Sequence, residues 1–211
     1  MKEFCAALSA TKETAPGNDG ITFLMIKRAD PSFHRLLLDT FNKIFTEGQF
    51  PTAWRLSIII PIPKPDKDHS DPINFRPISL TICMCKLLEK IINVRLIWYL
   101  ETNNCINPLQ SGFRKNRSTT DNLVQIESAI QNSFKNKNHF ISVFFDIQKA
   151  YDTAWRFGII KQLFDFGLRG SLLLFIRGFL TDRRIKVRIE NTFSDEKVTD
   201  EGVPQGSVLS C

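Results

Sequence analysis

The stretch Ser142-Val-Phe-Phe-Asp146-Ile-Gln-Lys-Ala-Tyr151-Asp-Thr-Ala-Trp155 decides how the rest of the chain is read. An almost wholly apolar run from Phe140 to Phe145 stops at a carboxylate. A polar turn follows, and then a helix-compatible segment beginning near Asp152. A continuous run rich in Val, Ile and Phe predicts a strand buried on both faces. An Asp at the end of such a strand projects from a rigid base into the cleft above it. Hard divalent cations take oxygen ligands and need them fixed, which makes Asp146 a candidate metal ligand. A strand-terminal Asp can equally be a turn former, and Asp152 a cap for the next helix, so the spacing alone leaves both readings open.

The 211 residues suffice for one large domain or two small ones. With 43% hydrophobic and 24% charged residues, the composition is that of an ordinary globular protein. The net charge of +6 and the pI of about 9.1 suit a polyanionic partner, nucleic acid above all. Five cysteines, Cys5, Cys83, Cys85, Cys105 and Cys211, are odd in number and scattered, which supports neither a disulfide framework nor a zinc site. A reducing compartment follows. His34, His69 and His139 stand far apart and read as surface or packing residues. Met1 to Ala10 carries no signal-peptide pattern, and the longest apolar runs stop at Pro61, Asp146 and Arg177, too short to span a bilayer. An intracellular chain is expected, in nucleus or cytoplasm, with no membrane partner. The oligomeric state is open.

Outward from the central stretch, local signals place the other elements. Ala15 to Ile21 is turn chemistry. Asp30-Pro31 offers a cap and a first-turn proline for a helix carrying Phe33, Leu36, Leu37, Phe41, Ile44 and Phe45, and Gly48 stops it. Arg55 to Ile62 reads as a strand, and Pro63 to Pro72 as an exposed loop. Met84, Leu87, Leu88, Ile91, Arg95 and Trp98 trace one side of a second helix whose polar side is basic. Ser118 and Asp121 form a capping box for a third, with Leu123, Ile126, Ile130 and Phe134 on one face. Trp155 to Phe164 and Leu172 to Phe179 suggest two more helices, and Arg184 to Ile189 alternates as a half-exposed strand with a basic outer face. There are no repeats. Helices and strands mix without regular alternation, so the class is α+β.

With these pieces in order, the chain resembles the reverse transcriptase domain of non-LTR retrotransposons, in particular the jockey-like elements of animals. Five stretches carry the resemblance, in the family's order and across nearly the whole chain. They are Ala15–Ile21, Pro61–Leu80 with its Phe-Arg-Pro-Ile core, Gln110–Thr120, the Asp146 motif, and Gly202-Val-Pro-Gln-Gly-Ser-Val-Leu-Ser210. The last two together are the most specific.

The resemblance implies the fingers and partial palm of a right-hand polymerase. Residues 1–139 would be fingers with an N-terminal extension. Residues 140–211 would be partial palm, from the catalytic strand to the start of the Gln-Gly motif helix. The implied reaction is RNA-templated addition of deoxynucleotides to a DNA 3′ end, with two Mg²⁺ (Mn²⁺ as substitute) as cofactors. RNA template, DNA primer and deoxynucleoside triphosphates would be the partners. Asp146 then resembles the first metal-binding aspartate and the Ile147 carbonyl its neighbouring ligand. The backbone N–H groups of Gln148 and Lys149 fall in the turn that cradles triphosphate oxygens. Tyr151 falls at the steric gate, where an aromatic ring under the sugar leaves no room for a 2′-hydroxyl; many relatives carry Phe there. A core aromatic is the plain alternative. Arg76 would clamp the triphosphate; Lys64 would assist, or be a solvated loop lysine. Gln205 and Gly206 resemble the motif beneath the nascent base pair. Arg114, Lys115 and Arg117 would hold template phosphates, or form a solvated basic loop.

One departure stands out. The family's next element is a hairpin with paired aspartates, and the 211 residues contain no Asp-Asp pair. The thumb and the upstream endonuclease of relatives are not in this sequence either. One carboxylate cannot balance two Mg²⁺ beside a triphosphate, so the chain by itself is expected to be catalytically inert. The alternative function is a non-catalytic nucleic-acid-binding remnant or co-opted module that keeps Arg114, Arg117 and the basic strand. An RNA-templated RNA polymerase or intron-encoded maturase shares the palm, but Tyr151 argues against RNA synthesis.

Overall fold

A computed structural model describes residues 1–210. The chain packs as two compact units, Met1–Trp98 with Lys149–Cys211, and Tyr99–Gln148.

The first unit opens with helices α1 (Lys2–Ser9), α2 (Phe23–Arg28) and α3 (Pro31–Glu47). The expected signals for α3 operate as read. The Asp30 carboxylate accepts the Ser32 and Phe33 backbone N–H groups, Pro31 occupies the first turn, and Gly48 ends the helix in the left-handed conformation at φ 66°. Leu37, Phe41 and Ile44 are buried, whereas Phe33 and Leu36 of the same periodic set face solvent.

Strands β1 (Leu56–Pro63) and β2 (Phe75–Leu80) pair antiparallel, with Ile58 opposite Leu80 and Pro63 opposite Phe75. The loop between them is exposed over most of its length, as its composition predicts. Helix α4 (Cys83–Thr102) follows, and its first half departs from the sequence reading. Cys83, Cys85, Lys86, Leu87, Leu88, Glu89, Ile91 and Ile92 are all buried, so that of the charges in that half Lys86 and Glu89 are enclosed and Lys90 alone stays half-buried. Farther along, Trp98 is exposed. Periodicity located the apolar stripe, but packing from several directions enclosed the charges beside it.

After the second unit, the chain returns through α6 (Arg156–Asp165) and α7 (Ser171–Leu180), with α5 being the second unit's helix (Thr119–Lys135). Helix α6 begins at Arg156, one residue after the Trp155 of the periodic set and four after Asp152, where the helix-compatible segment opens. Strand β3 (Arg184–Ile189) then pairs parallel to β1, Leu56 opposite Arg184 and Ile59 opposite Val187. Short strands β4 (Thr192–Phe193) and β5 (Lys197–Val198) pair antiparallel with β3, giving the sheet order β2-β1-β3-β4 with β5 also on β3. The core beside this sheet is aromatic. Phe50 meets Trp54, Phe175 and Phe179 edge-on at 5.6–6.0 Å between centroids, and Phe41 meets Trp54 at 6.2 Å. Gly178 is required there, since a Cβ would come within 2.8 Å of the Phe50 side chain. The element set is mixed α and β, as the composition and patterning imply.

The second unit is built differently. Ser118 and Asp121 form the expected reciprocal capping box at the start of α5, yet no residue of that helix is buried. An Arg114–Glu101 fork, at 2.9 and 2.6 Å, ties its turn region together.

Two expectations require correction. The run Phe140–Phe145, read as a buried central strand, belongs to no strand among the described residues, and Val143, Phe144 and Phe145 are 69%, 79% and 93% exposed. A strand exists through hydrogen bonds to a neighbour, which apolar content alone does not supply. Likewise Gln205 to Ser210, expected to open a helix, forms turns with an isolated Gln205–Ser207 bridge.

Candidate nucleotide site

Within the first unit, a cavity of about 380 Å³ lies over the sheet. Ser57 and Ile59 of β1, Pro77 and Ser79 of β2, and Ile185 and Val187 of β3 face it from one side. Tyr151, Asp152 and the segment Glu201 to Gln205 line it from the other. Tyr151 therefore shares one cavity with Pro204 and Gln205, which stand more than fifty positions later in the chain.

Backbone interactions explain how the two loops meet. The Val203 N–H donates to the Tyr151 carbonyl at 2.7 Å, and the Gly202 N–H to the Ala154 carbonyl at 2.9 Å. Such close approach demands glycine at 202. Its φ is +79°, and a Cβ would lie 2.5 Å from the Asp152 carbonyl oxygen. Arg156 then locks the arrangement by donating to the carbonyls of Thr199, Glu201 and Gly202 and to the Thr199 hydroxyl. Burial lowers the Arg156 pKa, while Asp200 and Glu201 act to raise it. On the sheet side, the Ser79 N–H donates to the Gln205 carbonyl at 2.7 Å. Gly206 follows at φ +119°, where a Cβ would stand 3.0 Å from the Ser79 oxygen. The Gln205-Gly206 turn is thus pressed against β2.

Arg183 also lines this cavity, 2% exposed, donating to the Trp54 carbonyl and the Ser57 hydroxyl. Desolvation lowers its pKa, opposed by Cys85 and Glu89.

The other residues singled out in the sequence occupy varied settings. Arg76, opposite Ile62 on the hairpin, is exposed. Lys64 donates to the Ile73 carbonyl at 2.9 Å and so braces the β1–β2 loop. Gln148 and Lys149 lie in an exposed turn, with Lys149 at φ +54°. In the second unit, Asp146 and Ile147 are exposed, as are Lys115 and Arg117. Arg114 is different. Its side chain donates to Glu101 and to the Asn107 and Gln110 carbonyls, and the Glu101 hydrogen bond raises its pKa. Those donors hold the protein's own turn.

No three His, Cys, Asp or Glu side chains come together as a metal-binding group among the described residues. Asp146 alone does not make a divalent-cation site, so the donor set present does not fit two Mg²⁺. Sequence reasoning missed Arg156, Arg183 and Glu89. The signal for Glu89 was its place two residues before the buried pair Ile91-Ile92, on a helix too apolar to leave it solvated.

The chain belongs to the family described as reverse transcriptase (RNA-dependent DNA polymerase), whose model matches residues 62–211. Among its relatives are several insect retrotransposon proteins. The chain is 33% identical over 207 residues to the "Probable RNA-directed DNA polymerase from transposon BS" of Drosophila melanogaster, covering 97% of this chain and 22% of that protein. It is 32% identical over 212 residues to the "RNA-directed DNA polymerase from mobile element jockey" of the same organism, covering 99% and 22%. To the "Retrovirus-related Pol polyprotein from type-1 retrotransposable element R2" of Popillia japonica it is 29% identical, covering 99% and 28%. The chain spans between 22% and 28% of the length of these relatives. Among the described residues no helix is long and apolar enough to cross a membrane.

Proposed function

We propose that this chain is part of an RNA-directed DNA polymerase of a non-LTR, jockey-like retrotransposon, and that it supplies the fingers (1–139) and part of the palm (140–211). The observation that carries the reading is the shared cavity of Tyr151 and Gln205 over the β1–β2–β3 face. The reading gives each residue a task. The Tyr151 ring lies under the sugar of an incoming deoxynucleotide and excludes a 2′-hydroxyl. Gln205 and Gly206 meet the nascent base pair, where the missing Cβ permits close approach. Arg76, exposed on the β2 side of the hairpin, pairs with the triphosphate, and Lys64 sets the loop beside it. The turn N–H groups of Gln148 and Lys149 face triphosphate oxygens. Lys115 and Arg117 neutralise template phosphates, with Arg114 holding their turn in shape.

The cofactor of such chemistry is a divalent metal. Asp146 and the Ile147 carbonyl are the positions that the family resemblance assigns to it, and by themselves they do not hold two Mg²⁺. RNA template, DNA primer and deoxynucleoside triphosphates are the proposed partners, in nucleus or cytoplasm.

Primer extension on an RNA template tests the proposal. The 211 residues alone are expected to extend no primer. A protein of the relatives' length carrying them is expected to extend it, and Arg76→Ala to reduce nucleotide affinity about tenfold or more, the loss of one charge-assisted contact. In that longer protein, Tyr151→Ala is expected to admit ribonucleotides. Unchanged sugar discrimination would remove Tyr151 from its role. Failure of the longer protein to copy RNA, with template binding intact, would favour the non-catalytic nucleic-acid-binding module.

A further inference from the structure

Glu89 is a charged side chain with 0% of its surface exposed. A carboxylate so placed costs free energy unless its oxygens are matched by donors. One oxygen accepts two consecutive backbone N–H groups, Val208 at 2.7 Å and Leu209 at 3.2 Å. The other accepts the Cys85 thiol at 3.2 Å. The partners are not local: Glu89 sits on α4, and Val208 lies 119 positions later. Lys86, 7% exposed, and Arg183, 2% exposed, are further buried charges of this core.

The two amides close a chain of anchors around the Gln205-Gly206 turn. Upstream, Val203 is fixed to the Tyr151 carbonyl; on the flank, Gln205 is fixed to Ser79 of β2. Inside the turn, Ser207 N–H donates to the Pro204 carbonyl at 3.1 Å, and the Ser207 and Ser210 hydroxyls pair at 2.6 Å. Two side chains from other elements complete the chain of anchors, Arg156 of α6 on the upstream side and Glu89 of α4 on the downstream side.

We infer that Glu89 is a positioning residue that sets the placement of the Gln205-Gly206 turn by gripping the Val208 and Leu209 amides. The inference rests on the proposed nucleotide-side role of that turn for its functional consequence, but the grip itself is independent of it. Reach, rather than charge, decides the effect. A glutamine keeps a carbonyl oxygen at the same distance and can accept both amides. An aspartate keeps the charge but falls short by one methylene.

Amide hydrogen exchange on the 211-residue chain tests this, with Glu89→Gln, Glu89→Asp and Glu89→Ala compared. Exchange at Gly206 to Leu209 is expected to rise at least tenfold in E89D and E89A and to stay within about threefold of the parent in E89Q. The amides of α7 around Phe175 and Phe179, which lie outside the turn, should keep their protection in all folded variants. If E89A does not fold, the aspartate–glutamine pair decides. Equal protection of the turn in E89D and the parent would overturn the inference, as would a uniform loss across α7. Because the readout needs no nucleotide, a failure of the polymerase reading would show in primer extension and leave this exchange pattern standing. In the longer protein, E89D should raise KM for the deoxynucleotide more than it lowers kcat, with E89Q restoring it. An unchanged KM in E89D with a loosened turn would overturn the nucleotide-side consequence and leave the grip on the turn standing.

Discussion

The two compact units differ in what holds them. In the first, Phe4, Phe41, Phe175 and Phe179 are at most 2% exposed, and three charges, Lys86, Glu89 and Arg183, are buried as well. In the second, no residue from 99 to 148 is buried, yet α5 has a complete capping box and the Arg114 fork is intact. Caps, turns and ion pairs thus shape a segment without a core, whereas burial is what fixes charges and glycines in unusual places.

The largest expected effect breaks or confirms this contrast directly. Phe179→Ala removes a ring that is 1% exposed and should cost about 3–5 kcal/mol in urea unfolding. Phe145→Ala, at a position 93% exposed, should change stability by no more than about 0.5 kcal/mol. Similar losses at both would mean that the second unit packs more tightly than its surface indicates.

Next in size is a pair of glycines. Gly202→Ala must adopt φ +79° and meet the Asp152 carbonyl, so a loss of about 2 kcal/mol or more is expected in the same titration. Gly112→Ala, in the second unit, meets nothing within 4 Å and should be near neutral. A smaller change sharpens the description of α5. Ser118→Ala deletes the cap and should lower helix stability by about 1 kcal/mol, read as faster amide exchange over the first turn.

The smallest effect is one of pH. The Arg114 hydrogen bond, aided by its charge, holds the Glu101 carboxyl below the ordinary carboxylate value. A depressed folded-state pKa contributes stability above the unfolded value and loses it as pH falls through the folded one. The Glu101–Arg114 turn should therefore loosen only in acid, below about pH 4. Titration of the Glu101 carboxyl by NMR should show its midpoint rise in Arg114→Ala; an unmoved midpoint would mean the fork does not persist in solution.

Much of this architecture was legible from short-range chemistry. Asp30, Gly48, Ser118 and Asp121 announced helix ends because capping is satisfied within four residues. The alternating Arg184–Ile189 segment announced β3 for a similar reason: side-chain period is a property of the strand itself. Neither feature could reveal that β3 runs parallel to β1, or that Glu89 reaches Val208, because those partners are distant and carry no local signature. Phe140–Phe145 failed as a strand for the same cause in reverse, since its pattern is strong but its pairing lies outside its own residues. Of the candidate site, the association of Tyr151 with Gln205 came through the family motifs, while the Arg156 clasp that joins their loops was visible only in three dimensions.

The link between Arg183 and the Trp54 carbonyl, 129 positions apart, has a temporal side. At a ribosomal rate of about 5–20 residues per second, the β1–β2 hairpin emerges roughly ten seconds before β3 can join it. Throughout that interval one flank of β1 offers unpaired N–H and C=O groups, the kind of open template on which nascent chains aggregate. Newly made copies should accordingly need shielding by chaperones until Arg184 to Ile189 has left the exit tunnel.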